Sequence, residues 1–211
     1  MSENQMRVRT VFAKTEAMRY TGHLDLFRAL ERTLRRAGMP LVYSQEFNPR
    51  PKINLASALA LGITSDGEVA DFWLKESLPI GAIKEQSIAQ APPGIEFLCF
   101  EEIVEKEKKL QNRVKESNFR AEFLDPVEDL ETKVETLMKT EELIRERTVK
   151  KKLRRYDLRP LIIDLKVTEE GLLIMHLKAE QGATGRPDEV LKQLGIDPAS
   201  VKLTRTALVI E

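Results

Sequence analysis

Cysteine and histidine are scarce in this chain. Cysteine occurs once, as Cys99, and histidine twice, as His23 and His176. One thiol excludes an internal disulfide, and alone it cannot hold an iron–sulfur cluster or a cysteine-rich zinc site. Two histidines are too few for a histidine-based metal centre, so no metal ligand and no cofactor is expected. Cys99 lies in the strand-like run GIEFLCFEEI and reads as a small buried hydrophobe. There is no apolar run near the length of a membrane span and no secretory hydrophobic segment at the N-terminus. The expectation is a cytoplasmic, soluble protein without a membrane partner. An excess of one charge is also absent, because 34 Lys and Arg face 34 Asp and Glu. Any anion-binding role must therefore come from a local patch and not from the overall field.

What is present suits a folded protein of one or two domains: 211 residues, 42% apolar and 32% charged. The run MRVRTVFA, residues 6 to 13, reads as a first strand. An amphipathic helix follows, with Thr21 as its N-cap and Asp25 near the positive end of its dipole. Leu24, Phe27, Leu30, Leu34 and Ala37 recur three or four residues apart and predict the buried stripe. Gly38 ends the helix and Pro40 blocks its resumption. A short extended piece at Leu41 and Val42 continues at Ile53, Leu55 and Ala56. Asp66-Gly67 reads as a turn before a strand over Glu68 to Leu74. Pro79 opens a second helix, Pro92-Pro93-Gly94 ends it, and Ile95 to Ile103 is the next strand.

Strand, helix, strand, strand, helix, strand is the ferredoxin-like order. The charged run Glu101 to Lys109 predicts a boundary near residues 104 to 111. It would separate a domain over 1–105 from a second α+β domain over 110–211. In the latter, Asn112 to Leu124 is extended and Val127 to Leu143 is helical. Glu141 to Arg155 reads either as continuing helix or as a charged strand and turn. Leu158 to Thr168 and Leu172 to Ala179 form a hairpin about Glu170-Gly171. A short helix stops at Gly195, and Val201 to Ile210 is the last strand. The fold class is α+β: two tandem ferredoxin-like units, with mostly antiparallel sheets and helices on one face.

The candidate binding residues concentrate in one stretch. Arg28, Arg32, Arg35 and Arg36 occupy the polar side of the first helix, where guanidinium forks suit phosphate oxygens. A solvated face laced with ion pairs is the plain alternative. The segment YSQEFNPRPK follows, and its Pro49 and Pro51 stiffen a polar loop that carries Tyr43, Ser44, Phe47, Asn48, Arg50 and Lys52. In the second half, Gln181 to Asp188 (QGATGRPD) places Arg186 before a helix start. That arrangement could hold an anion or be an ordinary glycine-rich loop. The loop lacks the GKS or GKT ending of a P-loop.

The run RYTGHLDLFRALERTLRRAGMPLVYSQEFNPRPKI resembles the signature of the radical-SAM-linked proteins. This is a bacterial family of unknown function (the DUF2344 type), often fused to or encoded beside a radical SAM protein. YDLRPLI at Tyr156, GRPDEVL at Gly185 and RTALVI at Arg205 agree with it. The resemblance implies that Arg19, Tyr20, His23, Asp25, Arg28, Glu31, Arg32, Arg35, Arg36, Gly38, Tyr43, Ser44, Phe47, Asn48 and Pro49 are motif residues. It also implies a radical SAM protein as partner. Two positions depart from the pattern: Glu46 stands where glycine is usual, and Arg50 where histidine is common. The second removes an acid–base group from the loop.

Three readings of function follow. In the first, the chain is an accessory protein that binds RNA or another phosphate-containing ligand through Arg19, the helix arginines and the loop. Tyr20, Tyr43 and Phe47 would then offer stacking surfaces. In the second it is an interaction module that docks on a radical SAM partner, with the charged stretch 141 to 155 as the docking surface. In the third it is a phosphate-handling, RNA-processing enzyme with His23 as acid–base and Tyr20 or Ser44 nearby. The oligomeric state is open in all three.

Overall fold

The computed structural model describes residues 5–104, 108–149 and 152–211. Residues 105–107 of the expected boundary run, and Lys150 and Lys151 of the charged stretch, lie outside the described residues. The chain divides into two compact units, Met1–Val114 and Lys115–Glu211.

The first unit contains β1 (Met6–Lys14), α1 (His23–Arg36), β2 (Ile53–Leu55), β3 (Thr64–Leu74), α2 (Ile80–Ala89) and β4 (Ile95–Glu102). Its strands run β2-β3-β1-β4, each antiparallel to its neighbour. This is the ferredoxin-like arrangement that the element order predicts. Alternation along the strands sets the layers. Met6, Val8 and Phe12 stand opposite Leu74, Phe72 and Glu68, and the apolar members of this set pack against Leu26, Leu30, Leu34 and Ile83 of the helices. Phe97 and Phe100 of β4 close the core against Phe12 and Phe72.

Four expectations are corrected in this unit. The buried stripe of α1 is Leu26, Leu30, Thr33 and Leu34, continued by Ala37, while Phe27 is half-buried and Leu24 is 71% exposed. At 3.6 residues per turn Leu24 lies about 120° around the helix from Leu30, whereas Leu26 lies within about 40° of it. The N-cap is Gly22 and not Thr21, so no side chain caps the first turn. At the other end Gly38 (φ +69°) makes the predicted stop. Its N–H donates to Arg35 O at 3.1 Å and that of Met39 to Leu34 O at 3.1 Å, which is the Schellman pattern.

Asp66-Gly67 is not a turn between elements. It lies inside β3, where the pairing with β1 slips by one residue between Phe12 and Lys14, and the bulge absorbs the turn-forming pair. A second slip between Val11 and Phe12, on the β4 side, changes the phase of β4. Phe97 and Phe100 therefore both face inward and Cys99 is exposed, not buried.

The second unit contains β5 (Val114–Phe123), α3 (Leu130–Lys139), β6 (Ile144–Val149), β7 (Lys152–Asp157), β8 (Ile162–Val167), β9 (Leu173–Glu180), β10 (Ala183–Thr184), α4 (Pro187–Gln193) and β11 (Val201–Ile210). Its strands are ordered β8-β9-β5-β11, with β10 also on β9. With β6, β7 and β10 set aside, this repeats the element order and strand order of the first unit. The charged stretch is a strand pair, β6 with β7, and not a continuation of α3. Its base is tied down by the Asp157 carboxylate, which accepts from the N–H groups of Leu143 (2.8 Å) and Arg159 (2.9 Å). Arg145 fastens β6 to α4 through Glu189 at 2.9 Å. The loop at Glu170-Gly171 is the hairpin turn expected, closed by Thr168 N–H to Leu172 O at 2.9 Å.

Candidate functional site

The start of α1 is held by a buried lysine. Lys14 ends β1 with its side chain inside the unit, and its Nζ donates to Arg19 O (3.1 Å) and Ile63 O (2.9 Å). Arg19 and Gly62 exchange two further hydrogen bonds: Gly62 N–H to Arg19 O at 3.1 Å and Arg19 Nε to Gly62 O at 3.0 Å. The Arg19 guanidinium lies 5.5 Å from the centre of the Tyr20 ring, and that ring is 76% exposed. His23 follows as the first residue of α1, half-buried. Lys14 lies one residue beyond the strand expected over residues 6 to 13 and was not among the candidate site residues. Its signal was available, because it continues the inward alternation of Val8, Thr10 and Phe12.

Along the exposed side of α1 the four arginines differ in their engagements. Arg28 pairs with Asp25 at 3.0 Å and Arg35 with Glu31 at 3.6 Å, in both cases with the guanidinium well exposed. Arg36 donates to Gln90 O at 2.9 Å. Arg32 is exposed, with no hydrogen bond or ion pair among the described residues. Exposed pairs of this kind contribute about 0–1 kcal/mol, so an incoming phosphate can displace them at little cost.

The proline loop is a closed hairpin. Tyr43 bridges Pro51, Ser44 N–H donates to Arg50 O at 2.8 Å, and Arg50 N–H donates to Ser44 Oγ at 3.1 Å. The tip, from Gln45 to Arg50, is exposed; Asn48 lies in it, and Phe47 is 99% exposed. Tyr43 is half-buried and packs on the core of the unit, so its ring is no open stacking surface. The loop base is fastened to the end of β3 by Val42 N–H to Trp73 O (2.8 Å) and Trp73 N–H to Lys52 O (3.2 Å).

Lys52 Nζ sits 4.3 Å from the Trp73 ring centre and the Arg7 guanidinium 5.3 Å from it. Burial, and then the charge of Arg7, hold the Lys52 ammonium below its ordinary pKa. Trp73 alternates with the inward Phe72 and Leu74, so Lys52 belongs to the sheet face away from α1. On that same face Arg7 and Arg9 share the carboxylate of Asp71, whose side chain is fully buried.

The predicted residues therefore form two groups joined by a helix. Arg19, with Tyr20 next to it, lies beside Lys14, opposite Ser65, and His23 opens α1 four residues after Arg19; the loop lies beside Trp73, eight residues further along β3. At about 3.3 Å per residue this is roughly 25 Å of strand. The arginines of α1, from Arg28 to Arg36, cover about 12 Å of helix between them. Tyr20 and Ser44 thus belong to different groups, and the Ser44 hydroxyl accepts within the loop from Arg50 N–H. In the second unit, Arg186 is committed to its own helix through Asp188 at 3.0 and 2.8 Å, a pairing that raises its pKa. Among the described residues no group of His, Cys, Asp and Glu has the arrangement of a metal site, and no helix is long and apolar enough to cross a membrane.

Among solved structures the chain is similar to a chain of a Cbf5-Nop10-Gar1 complex, at 15% identity and TM-score 0.47, covering 96% of this chain and 50% of that one. It thus spans half the length of that relative. An unknown protein from Galdieria sulphuraria is 9% identical, with TM-score 0.29 and 99% of both chains covered. A putative glycine cleavage system transcriptional repressor is also 9% identical, with TM-score 0.29 and full coverage of both chains at 100%. Likenesses at this level carry no argument about function. No curated protein matches. The model of a family described as "Uncharacterized protein conserved in bacteria (DUF2344)" matches residues 7–187, and the chain belongs to that family.

Proposed function

We propose that this DUF2344 protein is an RNA-binding accessory factor that uses the exposed side of α1 to hold phosphates and presents the bound RNA to a radical SAM partner. The observation that supports this reading is the arginine row. Arg28, Arg32, Arg35 and Arg36 stand on one helix with only Asp25 and Glu31 beside them, in a chain of zero formal net charge. The fold asks little of Arg28, Arg32 and Arg35, because the buried contacts of α1 are made by Leu26, Leu30, Thr33 and Leu34; Arg36 alone also reaches the end of α2, at Gln90 O. A second reading, docking on a radical SAM protein without RNA, draws support from the exposed Phe47 at the loop tip.

The test is a salt series of fluorescence anisotropy with labelled cellular-type RNA, single-stranded and structured. Each phosphate neutralised on a single strand contributes about 0.7 to the slope of log affinity against log salt. Arg32→Ala with Arg35→Ala should lower that slope by about 1.4 and leave the thermal midpoint nearly unchanged, since both side chains are exposed. Equal, salt-insensitive binding by both proteins would remove the RNA reading. Recovery of one specific protein and no RNA from lysate would favour docking.

A further inference from the structure

We propose that Tyr20 is a base-stacking platform, so that the ligand of the first unit is single-stranded RNA and not a duplex or free phosphate. The inference rests on the reading of α1 as a phosphate-binding helix and names the class of RNA that this helix takes.

Tyr20 combines two properties that seldom coincide on a surface: its ring is 76% exposed, yet the backbone beneath it is fixed. Arg19 O accepts from both Lys14 Nζ and Gly62 N–H, each at 3.1 Å. The Arg19 side chain, 22% exposed, is held at Gly62 O and lies against the Tyr20 ring. A guanidinium on the ring and a locked main chain restrict the orientations the ring would otherwise sample. A surface aromatic held in this way loses little further entropy when a base is laid on it. Keeping the Lys14 ammonium away from water carries a desolvation cost, and one of its hydrogen bonds goes to this segment at Arg19 O, another to the neighbouring Ile63 O.

The surroundings extend the same surface. Leu61, 64% exposed, precedes the Gly62 that is bonded to Arg19, and Leu24, 71% exposed, stands on the first turn of α1. Arg28 and Arg32 follow Leu24 at successive intervals of four residues, one helical turn or about 6 Å each. An apolar aromatic start leading into a row of cations is the arrangement expected for stacked bases followed by their phosphates. A duplex cannot use it, because its base faces are hidden in the stack. A protein partner with an apolar anchor would suit Leu24 and Leu61, but the arginine row would then need an acidic strip as well. The charge pattern favours the nucleic acid.

Binding of fluorescein-labelled 12-nucleotide oligo(A) and of a 12-base-pair RNA duplex to the full chain tests the proposal, with Tyr20→Ala, Tyr20→Trp and Arg32→Ala/Arg35→Ala as variants. Tyr20→Ala should weaken oligo(A) about 5- to 150-fold, with its salt slope unchanged and its thermal midpoint kept. Tyr20→Trp should restore binding, and the duplex should respond to neither change. If salt-dependent binding of oligo(A) persists undiminished in Tyr20→Ala, stacking is overturned and the arginine reading survives. A duplex bound as tightly as oligo(A) also overturns it. Wild-type protein that binds no RNA at any salt concentration overturns both.

Discussion

Replacing Asp71 by alanine should lower the unfolding free energy by about 3–5 kcal/mol, the range for breaking a buried ion pair from one side. The Asp71 side chain has no exposed surface, and those of Arg7 and Arg9 keep only 12% and 9% of theirs. Arg9 reaches both carboxylate oxygens, at 2.8 and 3.1 Å, and Arg7 Nε reaches one of them at 2.9 Å. Alanine takes away the acceptor that two guanidinium groups share and leaves them in a place where water has little access. The loss therefore measures the removal of one side of a buried pair and not the net worth of the pair. Asp71→Asn keeps the shape and one acceptor oxygen, and should lie between wild type and Asp71→Ala. Urea unfolding followed by circular dichroism gives the comparison. A loss below about 1 kcal/mol, the level of an exposed pair, would mean that the arginines find other solvation.

Leu30→Ala should cost about 2–5 kcal/mol through lost transfer energy and the cavity left behind. Leu30 has no exposed surface and sits in the cluster that Val8, Phe72 and Ile83 share. Leu24→Ala on the same helix should change stability by at most about 0.5 kcal/mol, as an exposed substitution does. The pair distinguishes the stripe centred on Leu26, Leu30 and Leu34 from one that starts at Leu24. Equal losses from the two would restore the latter.

Leu24 shows why the element order was legible while its faces were less so. Apolar spacing identifies a helix well, but Leu24 and Leu26 both fit an i, i+3 or i, i+4 chain to Leu30. Only the phase against the sheet decides between them. The same limit applies to strands. Alternation in MRVRTVFA and EVADFWL revealed β1 and β3, yet the slips near Phe12 were silent, and they turned Cys99 outward and carried Asp66-Gly67 into a strand.

Order was legible in both halves because βαββαβ needs only the sequence of periodicities. The pair β6 and β7 was legible only as one of two alternatives, since dense charge suits a helix surface as well as a ribbon. At the candidate site, the arginines, the stiff proline loop and the motif residues of the family were all visible. Their separation was not, because closeness in sequence conceals that α1 carries the chain from one end of β3 to the other. Of the three aromatics expected as stacking surfaces, Tyr43 drops out because exposure is a tertiary property: its ring packs on the core, whereas Tyr20 and Phe47 are exposed.

Bound RNA is proposed to lie along α1 from Tyr20 towards the arginine row. Ultraviolet cross-linking of bound single-stranded RNA to the full chain, followed by mass-spectrometric mapping of the adducts, locates it directly. Adducts on the peptide that carries Tyr20 and on those from α1, lost in the presence of excess unlabelled oligo(A), are the predicted result. Adducts confined to residues 115–211, or none above a bovine albumin control, would contradict it.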